Sequence, residues 1–124
     1  MTSPNIANLS TITGVTSTSA GIGSTTYTSV VSNPASSNTV LKLNTLIASN
    51  RSASASDLTV LYFSSASAIG SSVSIASTIS IPSGSSLTLI AKDTPIYIEE
   101  NRSIGAIGIP GGTIDIIASY ETIQ

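Results

Sequence analysis

The sequence predicts an all-β domain, an antiparallel β-sandwich of jelly-roll or immunoglobulin-like type with about eight to nine strands and an extended N-terminal arm. Two observations carry that expectation. Short β-branched runs recur along the chain, each bounded by Ser, Gly, Pro or Asn, the pattern of strands punctuated by turns. No window carries an i, i+3, i+4, i+7 apolar stripe of helical length. The 124 residues suit one core that needs no staples. Residues 1–24 read as an arm and a Ser/Thr/Gly-rich loop belonging to the same domain, and 25–124 as the sandwich.

Taken in order, the expected strands are Asn8–Thr16, Thr25–Val31, Thr39–Ser49, Asp57–Ser64, Ser72–Ile81, Ser85–Ala91, Ile96–Glu99, Ser103–Ile109 and Thr113–Ile123. The clearest alternation is Val73, Ile75, Ser77, Ile79 and Ile81 against Ser72, Ser74, Ala76, Thr78 and Ser80, as a half-buried strand requires. Leu87, Leu89 and Ala91 repeat it after Pro82-Ser83-Gly84-Ser85, a turn signal that predicts a hairpin between the two. Val40–Ile47 and Leu58–Phe63 are apolar at both parities, which predicts central strands or strands covered by a neighbouring subunit. The run from Ile114 to Ile123 is also doubly apolar and is expected inside a sheet.

Composition excludes much chemistry. The chain has no Cys, His or Trp, which removes thiols, imidazole bases and the commonest transition-metal ligands. Charged residues make up 8%, where about a quarter is usual, and mean hydropathy is positive at +0.39. Ser and Thr supply about a third of the chain, a composition that keeps a surface soluble without the desolvation cost of ions when a partner covers it. The four cations, Lys42, Arg51, Lys92 and Arg102, are dispersed, so no nucleic-acid partner is expected. No stretch reaches the ~18 apolar residues of a bilayer span, and the first residues lack a signal-peptide pattern, so neither a membrane partner nor Sec export is expected.

No motif supports catalysis, and no enzyme activity, cofactor or metal is expected. Gly105–Gly112 is glycine-dense but precedes no helix, so it reads as a kinked strand and hairpin turn, not a phosphate cradle; Gly21 and Gly23, in the loop before the strand expected from Thr25, are no nucleotide site for the same reason. Adjacent Glu99 and Glu100 on a strand point to opposite faces and cannot flank one bond, so they read as a solvated strand end. A serine nucleophile has no imidazole to activate it. The aromatic residues Tyr27, Tyr62, Phe63, Tyr97 and Tyr120 read as core or cross-strand fillers before sugar platforms.

The segments Ser3-Pro4-Asn5-Ile6-Ala7-Asn8-Leu9-Ser10-Thr11-Ile12-Thr13-Gly14, Leu41 to Asn50, and Ile81 through Ile96-Tyr97-Ile98-Glu99-Glu100 to Glu121 resemble small virion structural proteins of tailed phages, particularly those of cyanobacteria and marine bacteria. Where such proteins usually have Glu-Glu-Gly-Asp after the tyrosine strand, this chain has Glu99-Glu100-Asn101-Arg102. The resemblance implies a capsid decoration (cement) protein, made in the host cytoplasm and located in the virion, that stabilises the head by bridging major capsid proteins. A neck, tail or fibre-tip component, with host glycan as a ligand, is the alternative. The low-charge, doubly apolar strands add the expectation of a homo-oligomer, with a trimer favoured. Ile6, Leu9, Ile12, Leu61, Phe63, Ile117 and Ile123 are the candidate interface residues.

Overall fold

The computed structural model describes residues 11–124. It contains nine strands: β1 Ile12–Ser19, β2 Thr28–Asn33, β3 Val40–Asn50, β4 Ser56–Phe63, β5 Ser72–Ile81, β6 Ser86–Ile90, β7 Ile96–Ile98, β8 Arg102–Ile109 and β9 Ile114–Ile123. They form two antiparallel sheets. One, sheet A, runs β1-β9-β3-β6, with β7 also on β3; the other, sheet B, runs β2-β8-β4-β5. β6 pairs with Leu46–Ser49 and β7 with Leu41–Leu43, so the two short strands follow one another along one strand of sheet A. β3, β9, β4 and β8 are the inner strands, as the doubly apolar runs in β3, β4 and β9 predict.

The sheets close on a single core. Leu43, Leu46 and Ala48 of β3 and Ile114, Ile116 and Ala118 of β9 meet Leu58 and Val60 of β4 and Ile104 and Ala106 of β8. A bulge explains the mixed parity of β3: the pairing with β9 shifts between Leu43 and Thr45, so Asn44 is an extra residue and the inward parity changes there. Leu41 and Leu43 before it, and Leu46 and Ala48 after it, therefore enter the same core. Ile47 is left on the outer face. The second parity in this strand thus comes largely from a local irregularity and not from a second covered face.

Three expectations about connections and one about facing are corrected. β5 and β6 do not form a hairpin: β5 pairs with β4 in sheet B and β6 with β3 in sheet A, so the Pro82–Ser85 turn carries the chain between sheets. The Gly111-Gly112 turn likewise links strands of opposite sheets and is no hairpin. Residues Thr16–Ser19, expected in a loop, continue β1 and pair with Ser119–Ile116 of β9. In β5 the core takes Ala76 and Ile81, while Val73 is 71% exposed and Ile79 sits on the surface.

The last correction has two causes: bulges bring Ala76 opposite Val60, and Val73 and Ile79, opposite Tyr62 and Leu58, lie on the edge strand of sheet B. The β4–β5 register shifts twice, between Leu58 and Val60 and between Val60 and Leu61, leaving extra residues in β5. Thr78 holds a positive φ of 49° and its N–H donates to the Thr59 hydroxyl oxygen at 3.0 Å. A bulged edge cannot easily template another strand, and β5, which has no charged residue, is protected in this way where other proteins use lysine. A β-branched residue is strained in the left-handed region. Thr78→Gly should therefore raise stability by about 0.5–1 kcal/mol, the strain relieved exceeding the entropy that glycine adds to the unfolded chain; the shift of the urea midpoint reads this directly.

Candidate functional site

The loops gather at the two ends of the sandwich. At one end, Ile22 N–H donates to Ile114 O at 2.9 Å and Gly112 N–H to Ile22 O at 2.9 Å, while Arg51 N–H reaches Thr113 O at 3.0 Å and Gly84 N–H reaches Asn50 O at 3.0 Å. At the other, Ser32 Oγ donates to Ala66 O at 2.7 Å, Ala66 N–H to Asn101 Oδ1 at 3.3 Å and Arg102 Nη1 to Ser64 O at 3.2 Å. Each end is thus a cross-linked cap.

A buried asparagine at the last position of a strand anchors each cap. Asn33, closing β2, donates from Nδ2 to Thr39 O and Ile98 O, both at 3.0 Å, and its Oδ1 accepts from Ser37 Oγ at 2.6 Å and Thr39 Oγ1 at 3.2 Å. Asn50, closing β3, donates to Ser54 O at 2.8 Å and Ile81 O at 2.9 Å, and accepts from Ser52 N–H at 2.9 Å and Ser52 Oγ at 2.8 Å. The amide supplies two donors and an acceptor to backbone that has left the ladders. Neither residue was marked by sequence reasoning, because asparagine between a strand and a Ser-rich loop is an ordinary turn former; its place at the end of an apolar strand was the available signal.

The glycine-rich segments spend amides on contacts inside the fold. Gly108 N–H donates to Gly23 O at 3.0 Å and Gly21 N–H to Asp115 Oδ1 at 2.7 Å. These two amides are therefore committed within the fold. Asp115 also meets Arg51 Nε at 3.4 Å, an exposed pair of the kind that contributes little. Glu99 is exposed, but Glu100 is only 5% exposed. The expected solvated strand end is thus corrected to one exposed and one buried carboxylate. Among the described residues, no group of three or more Asp or Glu side chains converges as a metal site would.

Burial pushes the Tyr62 phenol above its ordinary 10.0, with the Glu99 carboxylate adding to the rise; a hydrogen bond with the Glu99 backbone and the Arg102 charge oppose it. The fold therefore keeps this proton where the unfolded chain loses it. The resulting contribution is complete below the unfolded value of 10.0 and is lost as pH rises through the higher folded value. Denaturation midpoints measured from neutral pH into that alkaline range should fall more steeply for the parent chain than for Tyr62→Phe.

The candidate interface residues divide. Ile12 is exposed, Ile117 is 46% exposed and Leu61 is half-buried, whereas Phe63, at 3%, and Ile123 are buried and offer a partner little surface. Ile6 and Leu9 lie outside the described residues. On the outer face of sheet A, Ile117 has a neighbour that the sequence did not mark: Ile47 is its Cα partner, and the row continues to Thr88 on one side and Thr18 on the other. On sheet B the exposed apolar residues are Val73, Ile79 and Ile109. No helix among the described residues is long and apolar enough to cross a membrane. Comparison with protein-family models, curated proteins and solved structures finds no match to this chain.

Proposed function

We propose that this chain is a virion structural protein, a capsid decoration subunit that stabilises a phage head by bridging major capsid proteins, and that it does so as a homo-oligomer, with a trimer favoured. The observation that carries this reading is the Ile47–Ile117 pair, set side by side on the outer face of sheet A and flanked by threonines. An apolar centre with an uncharged hydroxyl surround can be covered without stripping water from ions.

The strand order supports the finer reading of the sandwich as a jelly roll. With β7 treated as a continuation of β6, the eight strands form sheets in the order first-eighth-third-sixth and second-seventh-fourth-fifth, and all connections but one, β4–β5, pass between sheets. An immunoglobulin sandwich would instead place its first two strands side by side in one sheet. Jelly rolls recur in viral capsid and lectin domains, an association of fold with role and not a mechanism.

Particles lacking this protein should lose heat and osmotic resistance that the added protein restores, and densitometry of purified virions should show it at hundreds of copies. Unchanged resistance together with a few copies per particle would move it to the neck, tail or fibre tip.

A further inference from the structure

Sheet B carries, on its outer face, a groove of 470 Å³ between the β1–β2 and β4–β5 loops, walled by Tyr27, Leu61, Phe63 and Ile69 and edged by the hydroxyls of Thr25, Thr26 and Ser72. Its volume falls within the range of small-ligand sites, about 300–1,000 Å³. We propose that this groove binds a neutral saccharide, one sugar ring resting its C–H face on Tyr27, Leu61 and Ile69, with the buried Phe63 supporting them from beneath, while its hydroxyls exchange hydrogen bonds with the threonine and serine rim.

Two features select that ligand class. None of the lining residues carries a charge, so an ionic ligand would be desolvated with no counter-charge. A purely apolar occupant, such as a partner's leucine, would in turn cover the rim hydroxyls without satisfying them. A sugar presents both surfaces at once. The proposal does not rest on the capsid assignment, since a decoration subunit or a tail component could carry such a site.

The wall is also built in advance. Phe63 lies over Gly105, where a side-chain Cβ would come within 2.9 Å of its ring, and Tyr27 meets Phe63 edge-on with ring centroids 5.2 Å apart at 67°. Over them the β4–β5 loop turns through left-handed residues at Ala68, φ 57°, and Gly70, φ 86°. It is pinned by Ala68 N–H donating to Ser103 Oγ at 3.1 Å and Ser103 Oγ donating to Ser65 O at 2.7 Å. A preformed groove avoids the ordering cost that weakens binding by loops.

The test is a glycan array carrying neutral and acidic structures, followed by saturation-transfer NMR and calorimetry of the full chain with the best neutral hit. Ile69→Asp, at an exposed position, should leave the melting temperature in place and weaken that binding by about tenfold or more, because it puts an unpaired charge on the wall. Thr26→Val should weaken it less, and Lys92→Asp on the exposed β6–β7 loop, away from both the groove and the Ile47–Ile117 face, should not change it. The proposal is overturned if no neutral glycan binds, if acidic glycans bind in preference, or if Ile69→Asp binds as the parent does.

Discussion

Replacing Asn33 with alanine should destabilise the fold by about 2–5 kcal/mol, because the carbonyls of Thr39 and Ile98 lose their shared donor inside the protein. The two bonds, both 3.0 Å, tie the β2–β3 loop to the end of β7, so the loss is not confined to one turn. Ser37 and Thr39 would lose the acceptor for their hydroxyls as well. Urea denaturation should show a lower midpoint with an unchanged slope, the sign of altered stability without altered compactness. Asn33→Asp keeps the acceptor but brings a carboxylic acid into a fully buried position, and should recover stability only as pH falls and that group becomes neutral. A loss below about 0.5 kcal/mol, typical of a surface change, would show that the caps do not depend on this amide.

Gly105→Val should cost about 1–3 kcal/mol, the range for overpacking a tight site, and should also disturb the outer face of sheet B. Even the first carbon of a side chain there would lie 2.9 Å from both Ala68 Cβ and Phe63 Cε2. Phe63 must shift, and with it the Tyr27 ring packed against its edge. Near-ultraviolet circular dichroism, which reports the packing of these rings, should change while the far-ultraviolet strand signal persists. Gly14→Val provides the control. It sits on the edge strand β1 with nothing within 4 Å of the added carbon, so it should leave both spectra unchanged.

The strands were readable because each is long enough to show β-branched enrichment between turn residues, and all nine expected segments overlap an observed strand. Sheet partners were not readable from the same signals. Pro82-Ser83-Gly84-Ser85 has the composition of a hairpin turn, and that composition fixes local φ angles without saying whether the chain returns beside itself or crosses to the other sheet. Bulges were equally hidden. Asn44 shifts the parity of β3, and an extra residue at Ile75 brings Ala76 to the core in β5, yet the residue types in these runs do not mark where the extra residue falls.

That distinction also decides what could be read of the surface. Apolar residues on both parities suggested covered faces, but in β3 the bulge turns most of them to one core, and in β4 the second-face residue Phe63 is buried against Tyr27 and Ala68 of the same chain. The large apolar residues that stay exposed are Ile12, Ile47, Tyr97 and Ile117 on sheet A, Val73, Ile79 and Ile109 on sheet B, and Ile69 on the β4–β5 loop. Burial of this kind depends on which loop folds over which strand. No period in the sequence encodes that.

A cryo-EM reconstruction of the particle that contains this protein tests the central claim most directly. Copies of the two-sheet sandwich should repeat over the outside of the head lattice, with the Ile47–Ile117 face of sheet A turned toward a neighbouring subunit. Density for the sandwich confined to the neck, tail or fibre tip, or a head lattice on which that face points into solvent in every copy, would contradict it.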